Sequence, residues 1–102
     1  MTKFKFAIIG NPISHSLSPV LHNYWFKKYN IDAEYSLMEI KESQIVDVIK
    51  KLKEKELKGI NVTLPFKRSV IPFLTKTIND AADTHSVNTI FLDDNNELIG
   101  EN

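Results

Sequence analysis

Apolar positions change their period several times along the chain, and each change marks an element. Residues 3–10 mix aromatic and aliphatic side chains and then break at Gly10-Asn11-Pro12, as a buried first strand does on entering a loop. In "SLSPVLHNYWFKKYN", Ser18 suits an N-cap and Pro19 the first helical position, where proline's missing N–H would have no partner anyway. Leu21, Tyr24, Trp25 and Lys28 recur at helical spacing, which predicts a helix over about 18–29. "AEYSLMEI" alternates as a second strand. Ile45, Val48, Ile49 and Leu52 give "ESQIVDVIKKLKEKELKG" one apolar face, lysines crowd its later turns, and Gly59 closes it. "GINVTL" reads as a third strand, and "SVIPFL" and "INDAADTH" as short helical pieces interrupted at Pro72. "SVNTIFLD", "DNN" and "ELIG" read as a fourth strand, a turn and a fifth strand antiparallel to the fourth.

Strands alternating with helices predict an α/β domain. Its sheet is open and mainly parallel, with flanking helices and a C-terminal antiparallel hairpin strand. The 102 residues suffice for one domain over residues 1–102 and not for two. Lys plus Arg and Asp plus Glu both number 13, so the basic excess of a nucleic-acid binder is missing. The lysines of the second helix read as a solvated face that suits the negative end of its dipole. With no cysteine there is neither a disulfide framework nor a thiolate zinc site, which fits a cytoplasmic protein. The N-terminal apolar run is too short for a membrane span and lacks the long apolar region of a signal peptide. Neither a membrane nor a nucleic acid is expected as a partner.

Ligands of open α/β sheets collect past the carboxyl ends of the strands. Past the first strand stand Gly10, Asn11, Pro12, Ser14, His15, Ser16 and Ser18; Asn61, Thr63 and Lys67 end the third, and Asn88 and Thr89 lie in the fourth. These are hydroxyls, amides and one ammonium, without a carboxylate, and they suit a small, hydroxyl-rich anion. Ser16 and Ser18 flank a helix start, where free N–H groups and the dipole favour a carboxylate. The plainer reading leaves Ser18 as a cap and Ser16 in a solvated loop. Asn61 and Thr63 are two apart and share a side of their strand. Pro65 then turns the chain so that Lys67 comes back over the strand end, unless Lys67 merely begins an exposed helix. His15, His22 and His85 have no acidic partner, and no metal-ligand set converges. His15 is expected to shape its loop, His22 to lie on the helix surface or to be hydrogen-bonded, and His85 to precede the fourth strand. The three glycines form no G-x-G-x-x-G, so no cradle for a dinucleotide pyrophosphate is present.

"GNPISHSLSPVLHN", "GINVTLPFK", "SVNTI" and the terminal "GEN" resemble, in order and spacing, the N-terminal substrate-binding domain of shikimate dehydrogenases. The resemblance covers essentially the whole chain. It implies an open α/β domain that is paired, in the intact enzyme, with a C-terminal Rossmann domain that binds NADP. It implies that Ser16 and Ser18 bind the substrate carboxylate and that Asn61, Thr63 and Asn88 contact the ring hydroxyls. Lys67 matches the lysine at the centre of the reaction, where it would relay the proton of the oxidised hydroxyl. The substrate implied is shikimate or 3-dehydroshikimate, on the pathway to aromatic amino acids. Two departures stand out. The family's pattern continues to an aspartate that partners the lysine, which lies beyond Asn102, and His85 and Ser86 replace the small residues usual before "VNT".

The missing aspartate, together with the missing glycine-rich loop, leads us to expect a substrate domain cut from a longer dehydrogenase, one that by itself neither binds NADP well nor turns over. Two other readings remain open. A quinate or dual quinate/shikimate dehydrogenase using NAD or NADP resembles the same domain, although serine at both 16 and 18 favours shikimate. A free-standing, non-catalytic domain that binds a small hydroxy acid also fits the composition. A flavodoxin-like receiver would need an acidic cluster at the strand ends, which this sheet edge lacks. The open sheet edge leaves room for a homodimer.

Overall fold

The strand β1 (Phe4–Gly10) lies between β2 (Ala33–Glu39) and β3 (Gly59–Val62) and runs parallel to both. In the computed structural model, which describes residues 3–13 and 16–102, these three strands form one side of a six-stranded sheet. The other side holds β4 (Lys76–Ile78), β5 (Thr89–Leu92) and β6 (Leu98–Glu101), giving the order β2-β1-β3-β5-β6-β4. Three helices, α1 (Ser18–Lys28), α2 (Ile45–Lys53) and α3 (Asp80–Thr84), flank the sheet. Both crossovers of the β1-α1-β2-α2-β3 half pass through a helix, as parallel neighbours require. The expected α/β class holds: β1-β2, β1-β3 and β4-β6 are parallel, and β5 and β6 form an antiparallel hairpin.

Side chains alternate across a strand, so the register assigns each residue to a face. On one face Ala7, Ile9, Ile60, Val62 and Ile90 are buried against Ile45, Val48, Ile49 and Leu52 of α2. Phe66, Val70, Val87 and Leu98 complete that core. The sequence spacing of α2 therefore predicted its buried stripe correctly. The other face is smaller and more aromatic. There Ile8 and Tyr35 pack with Ile13, Phe6 and Phe26, and α1 covers β1 and β2. Asn61 and Thr89 pair directly across β3 and β5 and lie on this second face, because Asn61 also pairs with Ile8.

Four expectations need correction. Leu21, Tyr24 and Trp25 face outward, and the side that α1 turns to the sheet carries His22 and Phe26. Both stripes have helical spacing, so periodicity cannot choose between them; the stacking partners on β2 do. Helix α2 ends at Lys53, well before Gly59, because Glu54 leaves the helical conformation and Lys55 turns left-handed at φ 64°. "INDAADTH" is not all helical, since Ile78 belongs to β4 and the short helix spans only Asp80–Thr84. A three-residue strand carries too little alternation to be read from sequence. Finally, the strand that carries Thr89, β5, is not one of the parallel strands, since it runs antiparallel to β3 as well as to β6, while the sheet as a whole is mainly parallel as expected.

Leu52 is fully buried beneath the parallel strands. Leu52→Ala should lower the free energy of unfolding by about 2–5 kcal/mol, the usual cost of such a cavity, as measured by urea denaturation. A change near zero would place the core elsewhere.

Candidate functional site

The ends of β1 and β3 are laced together by their backbones. Asn11 N–H donates to the Leu64 carbonyl (3.1 Å) and Thr63 N–H to that of Ile9 (3.0 Å), while the Asn11 side chain donates to the Ile40 carbonyl (2.9 Å). Gly10 permits this approach: a Cβ there would lie 2.5 Å from Thr63 Cγ2 and 3.1 Å from the Leu64 carbonyl oxygen. Thr63 is thus held against the loop that follows β1.

The serines come to the same place. A cavity of about 360 Å³ is lined by Ser16, Ser18 and Thr63 with Ile8, Pro12 and Ile13. Ser18 does not cap α1 as predicted. The N-cap is Leu17, without a side-chain bond, and the Ser18 N–H is instead taken by Ser16 Oγ at 3.2 Å. Ser16 Oγ therefore accepts the helix-terminal N–H. Among the described residues no carboxylate lines this cavity. Glu39, at the end of β2, accepts the Ile13 N–H at 3.1 Å and so braces the loop from outside.

Beside the cavity lies a network that sequence reasoning saw only in part. Tyr35 Oη donates to Asn61 Oδ1 at 2.6 Å, reaching across the intervening strand β1. Asn61 Nδ2 donates to the Asn88 carbonyl and to Thr89 Oγ1, both at 3.2 Å, and Thr89 Oγ1 donates to Asn88 Oδ1 at 3.0 Å. Tyr35 is buried, its ring stacked on His22 with centroids 4.4 Å apart. Its backbone N–H and carbonyl are both bound by the Asn23 side chain at 2.9 Å, which satisfies the free edge of β2 at that residue. Burial pushes the Tyr35 phenol above its ordinary value, and the nearby Ser18 hydroxyl offsets part of that rise. The structure thus brings Ser16, Ser18 and Thr63 to one cavity and Asn61 and Asn88 to the adjoining network. Asn61 already spends both kinds of polar atom on the protein.

Lys67 lies half-buried in the turns that follow β3, after a cis Leu64-Pro65 peptide. Its carbonyl accepts the Val87 N–H at 2.9 Å, which ties it to the residue before Asn88. Among the described residues no carboxylate lies within 4.0 Å of its ammonium. Ser14 and His15 fall outside the described residues. His22 is a stacking partner for Tyr35 rather than a surface residue, and His85 ends α3 ahead of β5 as expected. Among the described residues no group of three His, Cys, Asp or Glu is placed to hold a metal. Sequence reasoning missed Tyr35 because a lone tyrosine in an alternating strand looks like core. It noticed Thr89 only by position.

Comparison with known proteins bears on the family and the fold. A family model for the shikimate dehydrogenase substrate binding domain matches residues 8–90. A shikimate dehydrogenase (NADP(+)) of Pelagibacter ubique is 48% identical over 100 residues, covering 98% of this chain and 37% of the relative. The crystal structure of shikimate dehydrogenase from Aquifex aeolicus superposes with a TM-score of 0.89 at 33% identity, over 98% of this chain and 37% of that one. The shikimate 5-dehydrogenase of Listeria monocytogenes, crystallised with shikimate and NAD, gives 0.89 at 33% identity over 97% and 34%. The chain spans little more than a third of the length of these relatives.

The Tyr35 phenol generates a prediction about alkaline stability. Its pKa is raised above 10.0 in the folded chain, so the unfolded chain loses the proton first as pH rises. Its contribution to stability is complete below about pH 10 and is lost as pH climbs through the folded-state value. Tyr35→Phe should flatten this part of the alkaline fall in unfolding free energy, followed by denaturant titration. An unchanged slope would show that the phenol is not held protonated.

Proposed function

The chain belongs to the shikimate dehydrogenase substrate-binding domain family, and from that premise we propose that it binds shikimate or 3-dehydroshikimate for an NADP-dependent dehydrogenase. The observation that carries the reading is the convergence of Ser16, Ser18 and Thr63 on one cavity, without a carboxylate among the described residues, beside the Asn61–Thr89–Asn88 network. Neutral donors at a helix start receive the substrate carboxylate. Thr63 and Asn88 receive ring hydroxyls, together with Asn61 through its network. Lys67 takes or returns the proton on the oxygen of the alcohol that becomes a ketone. In its charged form it also stabilises negative charge growing on that oxygen.

NADP does not fit the residues present. Gly10 and Gly100 are packed against Thr63, Leu74 and Val87, and neither opens a cradle for a pyrophosphate. The cofactor is therefore assigned to a Rossmann domain outside this chain, where the choice between NADP and NAD is also made. The aspartate that would partner Lys67 belongs outside it too. The partner is a small molecule, with no nucleic acid and no membrane. Balanced charge supports the first exclusion. For the second, no helix of the described residues is long and apolar enough to cross a bilayer. A cytoplasmic location, supported by the absence of cysteine, belongs to the same reading. So does a homodimer, which sedimentation velocity checks.

The test uses the protein expressed from its complete open reading frame. It should reduce NADP with shikimate, and Lys67→Ala should lower kcat about 100- to 10,000-fold, the usual share of a general acid or base. Ser18→Ala should act mainly on the KM for shikimate, raising it by roughly five- to tenfold, as the loss of one hydrogen bond does. The 102-residue chain alone should bind shikimate without turnover. Clear turnover by that chain, or full activity in Lys67→Ala, would overturn the assignment.

A further inference from the structure

We propose that Tyr35, Asn61 and Thr89 form a one-way hydrogen-bond relay that locks the Asn88 amide with its NH2 group available to the ligand. The argument starts from a group with no choice. The Asn88 backbone carbonyl can only accept, and Asn61 bonds to it at 3.2 Å, so Asn61 must present Nδ2 on that side. Its Oδ1 is then left facing the Tyr35 hydroxyl at 2.6 Å, and Tyr35 must donate. Thr89 Oγ1 receives the second Nδ2 proton and still has its own proton to donate. Asn88 Oδ1 at 3.0 Å is the acceptor. The carbonyl oxygen fixes the Asn61 amide and the Tyr35 donor, and Thr89 passes the same sense on to Asn88 by donating its own proton to Oδ1.

The consequence for recognition is specific. With Oδ1 turned to Thr89, the half-buried Asn88 has its two N–H donors on the other side, and a ligand atom that meets them must accept. A hydroxyl or ketone oxygen satisfies this, so the same contact serves the alcohol and its oxidised product. Asn61 has both amide protons and Oδ1 engaged within the protein. We therefore assign it with Tyr35 and Thr89 as a positioning residue that acts through Asn88. Tyr35 begins the relay well because it is immobilised: its ring is stacked on His22 and its backbone is clasped by Asn23. This inference rests on the proposed function only for the identity of the ligand.

Two readouts test it in the protein from the complete open reading frame. The first needs no ligand. Tyr35→Phe should shift the side-chain NH2 resonances of Asn88, identified by their loss in Asn88→Asp, although Tyr35 reaches Asn88 through Asn61 and not directly. The second uses shikimate. Tyr35→Phe and Thr89→Val should each raise KM by about five- to tenfold, and the double variant should be no worse than Thr89→Val alone. Thr89→Ser, which keeps the hydroxyl, should restore the wild-type KM. Unmoved Asn88 resonances, multiplicative effects in the double variant, or a Thr89→Ser as impaired as Thr89→Val would overturn the relay. If Tyr35→Phe fails to fold, the Val and Ser variants at Thr89 decide, with the Asn88 resonances read in each. Wild-type protein that does not bind shikimate would overturn the functional reading while the ligand-free measurement still judges the relay.

Discussion

Gly10 is the position on which the rest of the site depends. The carboxyl end of β1 can lie against Thr63 and the Leu64 carbonyl only because Gly10 carries no side chain. That approach allows Asn11 and Thr63 to exchange backbone hydrogen bonds with the facing segments. The two loops that follow β1 and β3 then share one cavity, with Ser16 and Ser18 from the first and Thr63 from the second. Any larger residue at position 10 would push these loops apart before it disturbed the hydrophobic core.

The two faces of the sheet divide the work. One is aliphatic, closed by α2, and supplies the stability that burial of branched side chains provides. The other places an aromatic cluster under α1 and then gives way to amides and hydroxyls at β3 and β5. Such polar groups are tolerable on a half-buried sheet because each finds a partner; among the described residues no buried side-chain nitrogen or oxygen is left without one. Satisfying these groups with protein partners also fixes their orientation. Tyr35 joins the two regions. Its ring belongs to the aromatic cluster and its hydroxyl to the polar one.

Much of this was legible in the chain. Ile45, Val48, Ile49 and Leu52 announced the buried stripe of α2, because a strong aliphatic period has one solution when a single face is covered. The β-branched run "GINVTL" and the break at Gly10-Asn11-Pro12 located β3 and the end of β1. The rule that ligands gather at strand ends brought Ser16, Ser18, Asn61, Thr63, Lys67 and Asn88 forward as candidates. The face of α1 was not legible, since two stripes on that helix repeat at the same spacing and only the neighbours on β2 distinguish them.

Local chemistry along the chain therefore sufficed for the elements, the aliphatic core and the kinds of group at the strand ends. These depend on properties that each residue carries with its near neighbours. The tertiary structure alone decided which groups bond to which. The Tyr35–Asn61 bond joins residues 26 apart in sequence across an intervening strand. The cap at Ser18 passed to Ser16 through loop geometry. Direction in the Asn61 amide was set by a backbone carbonyl 27 residues away. A hydrogen bond is short and directional, so its partners are known only once strand order and register have placed the atoms.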